Sequence, residues 1–106
     1  MYESRMKSVE TDHLFEAILA LKTEEECYQF FDDLCTIGEL IAMTQRFQVA
    51  EELYEGSTFS NISSKISVSS TTITRVNKCL NYGAGGYKTL LDRLHGKEEE
   101  EKQAAG

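Results

Sequence analysis

The sequence contains no proline. Proline removes an N–H donor and clashes with the preceding helical turn. Its absence, with glycines gathered mostly at segment ends, favours long helices joined by short turns. No run of 18 apolar residues occurs, so no membrane span is expected. The stretch from Met1 to Lys7 lacks the apolar core of a signal peptide, and nothing points to export. Cysteine is confined to Cys27, Cys35 and Cys79. The odd count and the lack of any C-x-x-C argue against a disulfide framework and a zinc site. Each cysteine lies in an apolar helical pattern, where a free thiol packs as a small hydrophobe, and a cytoplasmic location fits this usage. His13 and His95 stand far apart without companion ligands, so no metal site is expected. There is no G-x-S-x-G and no phosphate-cradling glycine loop. The run Gly83-Ala84-Gly85-Gly86 follows a helical pattern rather than a strand. No catalytic residue is assigned and no enzyme is expected.

Acidic residues are abundant, and the chain carries a net charge of −7. Their distribution is uneven. Residues 1–56 hold 13 acids against four bases, whereas the 35 residues from Ser57 to Leu91 hold no Asp or Glu and four bases, Lys65, Arg75, Lys78 and Lys88. An acid-free basic segment in an acidic protein is a candidate anion-binding face. Charge alone leaves a solvated surface equally open. With 106 residues and 41% hydrophobic content, the chain suits one helical domain, residues 1–95. The acidic stretch 96–106 is expected to be a disordered tail.

Apolar spacing and caps give the helices. From Asp12, Leu14, Phe15, Ile18, Leu19 and Leu21 follow an amphipathic helical pattern. Thr23 with Glu26, and Thr36 with Glu39, are capping boxes that open two further helices. Cys27, Phe30, Phe31 and Leu34 line the first of these. Ile37, Leu40, Ile41, Phe47, Ala50, Leu53 and Tyr54 line the second, which runs to a glycine stop at Gly56. Phe59, Ile62 and Ile66 then recur at helical spacing, as do Ile73, Val76 and Leu80, with Val68 between them in a turn flanked by Ser67 and Ser69. A short helix, a tight turn and a second helix from about Ser70 to Tyr82 make a helix-turn-helix over about residues 58–82. Tyr87, Leu90, Leu91 and Leu94 suggest a last short helix.

A helix entering the major groove needs short polar side chains near its N-terminus and an apolar back. Ser70, Thr71, Thr74, Asn77 and Lys78 fall on the outward side, and Ile73, Val76 and Leu80 on the inward side. With Lys65, Ser69, Thr72 and Arg75 they form the candidate DNA-binding set. Hydroxyls serve phosphate or base edges alike, and the positive helix N-terminus favours phosphate.

The stretch Leu34-Cys35-Thr36, the run Gln45-Arg46-Phe47-Gln48-Val49-Ala50-Glu51-Glu52-Leu53 and the string Thr72-Ile73-Thr74-Arg75 resemble the bacterial Trp repressor family, in particular its YerC/YecD branch, across about residues 12–94. The resemblance implies an all-α, intertwined homodimer whose two helix-turn-helix heads read a two-fold symmetric operator in double-stranded DNA. It also implies an effector pocket in which Arg46 and Arg75 flank a ligand and Thr36 and Thr72 assist. Bland alternatives remain at that point: Thr36 as a helix cap only, and Arg46 as an ion-pair partner of Glu39 or Glu51. The residue after the second arginine is glycine in the repressor and Val76 here, a β-branched side chain that adds bulk. No cofactor is therefore expected, and L-tryptophan is not expected as corepressor. The uncovered apolar residues of the first 35 positions serve the dimer, which would set the heads about 34 Å apart, one DNA turn.

Two other readings compete with a DNA-binding regulator. One is a helical module that binds protein partners without DNA, against which the acid-free segment weighs. The other is a replication-initiator-like head, which a chain lacking an ATPase domain disfavours.

Overall fold

The computed structural model describes residues 2–96. The expected tail beyond Gly96 lies outside the described residues. Among these, the regular elements are helical: α1 (Val9–Leu19), α2 (Glu24–Leu34), α3 (Ile37–Tyr54), α4 (Phe59–Lys65), α5 (Ser70–Tyr82) and α6 (Gly86–Leu91), followed by a π-helical turn, Asp92–Gly96. The chain divides into two compact units, Met1–Leu40 and Ile41–Gly106.

In the first unit every helix start is made by a hydroxyl. Ser8 accepts from the Thr11 N–H at 3.0 Å and opens α1. The helix thus begins before the expected Asp12, because a cap with threonine three residues on lacks the glutamate that marks a capping box. Ala20 ends it, leaving Leu21 outside. Thr23 accepts from the Glu26 N–H at 3.0 Å, but the Glu26 carboxylate reaches the Lys22 N–H, at 2.8 Å, instead of that of Thr23. The Thr36–Glu39 box closes in both directions, at 2.8 and 3.1 Å. Two hydrogen bonds from Thr36, the backbone one first, hold the Glu39 carboxyl below its ordinary range. The Phe30 and Phe31 rings meet edge to face, with centroids 5.5 Å apart. No residue of α1 or α2 is buried, and Phe15, Leu19 and Leu34 are exposed.

The second unit holds the core. Val49, Ala50, Ile62, Ile66, Ile73, Val76 and Leu91 are buried together, with Phe47, Leu53, Tyr54, Val68, Leu80 and Tyr87 packed around them. Side chains the size of Ile62, Ile73 and Leu91, fully covered, each contribute roughly 1.5–3 kcal/mol of apolar burial. Val49 joins Ala50 inside. Ile37 and Ile41, expected on the inner side of α3, are exposed.

Turns deliver the elements. Gly56 closes α3 at φ +92°, with Ser57 N–H bonded to the Glu52 carbonyl and Gly56 N–H to that of Leu53. That pairing is a Schellman motif and confirms the glycine stop. After α5, a side chain at Gly83 would run into the backbone of Cys79, and Gly85 adopts φ +92°. The π-helical turn is clasped to α3 by two side-chain bonds. The Tyr54 hydroxyl donates to Asp92 Oδ1 at 2.7 Å, and His95 Nε2 lies 3.2 Å from Glu51 Oε2.

Candidate nucleic-acid interface

The helix-turn-helix forms where spacing places it. Thr58 caps α4 by accepting from the Asn61 N–H, and Ser69 caps α5 by accepting from the Thr72 N–H, both at 3.1 Å. Between them the Val68 N–H bonds back to the Ile66 carbonyl at 2.9 Å, and Val68 packs on the core from the turn. Ile62 and Ile66 of the first helix and its end meet Ile73 and Val76 of the second inside that core. The apolar backs thereby fix which side of α5 faces outward.

That outward side carries the expected donors. Ser70, Thr71, Thr74, Arg75 and Lys78 are exposed. Asn77 is half-buried, and its side-chain oxygen and carbonyl accept from the Asn81 amide at 3.1 and 2.9 Å. The Ser69 hydroxyl is engaged as the cap and lies 3.0 Å from the Thr72 hydroxyl. Lys65 is held by Glu52, with Nζ 2.8 Å from Oε1. That hydrogen bond, and then the Glu52 charge, hold the Lys65 ammonium above the usual lysine range, with a smaller push from Glu55. Sequence reasoning missed Glu52, because a pair thirteen residues apart across two helices leaves no local pattern.

A cavity of about 600 Å³ lies beside the turn, within the range of small-molecule sites. Ala42, Gln45 and Arg46 of α3 line it on one side, and Ser67, Val68, Ser69, Thr72 and Arg75 on the other. The structure thus brings together Arg46, Thr72 and Arg75. Thr36 belongs to the first unit, where it caps α3. Val76 is 2% exposed within the core and does not line this cavity, so its bulk is taken up by core packing. Gln45, unnoticed in the sequence, donates from its amide to the Ser67 carbonyl at 3.3 Å. Glu39 bonds Thr36 and Glu51 pairs with His95. Among the described residues, neither Arg46 nor Arg75 is in an ion pair.

The sequence matches the Trp repressor protein family over residues 9–95. The chain belongs to the Trp repressor family. It is similar to YerC of Bacillus subtilis (strain 168), 47% identical over 100 residues that span 94% of this chain and 96% of YerC, which supports the YerC branch. Two crystal structures share the fold. One is a candidate Trp repressor of Staphylococcus aureus, 43% identical, with a TM-score of 0.81 over 85% of this chain and 90% of that one. The other is a TrpR-like protein of Eubacterium eligens ATCC 27750, 46% identical, with a TM-score of 0.81 over 85% and 93%. The Trp repressor family is one of dimeric DNA-binding regulators rather than enzymes. The helix-turn-helix of this member is α4, the Ser67–Ser69 turn and α5.

Proposed function

We propose that this Trp repressor-family chain is a sequence-specific transcriptional repressor. It acts in the cytoplasm as a homodimer that inserts α5 into the major groove of a two-fold symmetric operator. The observation that carries the reading is the exposed row Ser70, Thr71, Thr74 and Lys78 on α5, backed by buried Ile73 and Val76 in a segment without acids. Arg75 joins this row. Asn77, Ser69 and Thr72 shape its start and middle through their internal bonds. The dimer is supported by the uncovered apolar residues of the first unit, among them Leu19 at 84% exposure and Ile37 at 81%. A second copy would bury such a surface.

The cavity between α3 and α5 is the candidate effector site, and the guanidinium groups of Arg46 and Arg75 suit an anionic molecule. Tryptophan is not proposed as an obligatory corepressor, because Gln45 already ties the turn to α3. The test is selection of bound sites from a pool of genomic fragments, repeated across salt concentrations and with and without L-tryptophan. A symmetric motif recovered without tryptophan, with affinity falling steeply as salt rises, is the expected result. Recovery only with tryptophan would replace the corepressor-free reading. No binding under any condition would leave the protein-interaction module as the better reading.

A further inference from the structure

We infer that Glu52 is an internal competitor of DNA phosphate for Lys65, so that Lys65 reaches DNA only by exchanging this carboxylate for the duplex backbone. The inference rests on the DNA-binding reading and deepens it. Of the four bases in the acid-free segment, Lys65 alone among the described residues is in an ion pair; Arg75, Lys78 and Lys88 have none. The acid comes from outside the segment. Glu52 stands in the last turn of α3, where its own carbonyl is fixed by the Ser57 N–H in the Schellman motif. Its side chain is 21% exposed, against 60% for that of Lys65. The acid is therefore the anchored partner and the lysine the mobile one. Lys65 ends α4 immediately before the turn to the reading helix, a position from which the backbone flanking the groove is the natural anion.

Exposed pairs of this kind are weak, so a phosphate array can displace the carboxylate, and the pair damps DNA affinity without abolishing it. The acid thus occupies a cation of the candidate DNA-binding set.

The test is a double-mutant cycle on the full chain, read by fluorescence anisotropy with a random duplex and with the selected operator. Glu52→Gln is expected to tighten binding about two- to fivefold at low salt. In a Lys65→Gln background the same change is expected to do nothing, because the effect acts through Lys65. Lys65→Gln alone is expected to weaken binding and lower the salt slope by about 0.9. NMR titration of the Lys65 ammonium in the free Glu52→Gln protein should show a fall toward the ordinary lysine value. Equal tightening in both backgrounds would mean a general charge effect and would overturn the inference, as would no tightening in either. A wild-type chain that binds no duplex would overturn the DNA-binding reading itself, an outcome visible before any variant is made.

Discussion

At the scale of single residues, two positions give opposite lessons. Glu39 was legible from sequence, since a threonine three residues ahead of a glutamate before an apolar run is a capping box. The structure closes that box in both directions. Folding lowers this acid from its ordinary 4.5. Its contribution to the start of α3 is therefore complete above that value and is lost as pH falls through the lower folded value. The protection of the Thr36 N–H against exchange, relative to its intrinsic rate at each pH, should fall in that window in the wild type, whereas Glu39→Gln should flatten the dependence. Val76 was only half legible. Spacing placed it on the inward side of α5, correctly, yet comparison with the repressor's glycine cast it as a pocket wall. Which neighbour an inward side chain meets depends on the angle between helices, and no one-dimensional pattern carries that angle. Val76→Gly should cost about 3 kcal/mol, through lost burial and a glycine inside a helix, and should leave L-tryptophan affinity in calorimetry unchanged. Gain of tryptophan binding would restore the pocket role.

At the scale of elements, helix existence was readable wherever hydroxyl caps and periodic apolar residues coincided, as at Thr23, Thr36 and the α4–α5 pair. Boundaries failed where a cap lacked its glutamate, as at Ser8. The turn after α5 was readable from its glycines, but not which glycine matters. Gly83 is the constrained one, since an added Cβ would meet the Cys79 backbone, with Cys79 Cα only 2.9 Å away. Gly83→Ala should lower stability by about 1–3 kcal/mol in chemical denaturation, while alanine at Gly86, which has open space around it, should be tolerated. On α5 itself, Lys78→Gln should weaken binding to all duplexes alike and reduce the salt slope by about 0.9. A loss confined to the operator would instead assign Lys78 to base contact.

At the scale of the whole molecule, a core drawn entirely from the second unit leaves the first without a buried residue in α1 or α2. Folding and association should then be linked. Sedimentation equilibrium should return twice the 12.0 kDa of one chain, and the melting temperature should rise with protein concentration. A concentration-independent melt at the monomer mass would remove the dimer from the proposal. The clasp at the π-helical turn has a different consequence, for biosynthesis. Leu91 completes the core, and the bonds of Asp92 and His95 reach back 38 and 44 residues to α3. On the ribosome, helices α4 and α5 are made before those partners are. A nascent or prematurely ended chain would carry the reading helix with its apolar back uncovered, a substrate for proteases rather than a competitor for the operator.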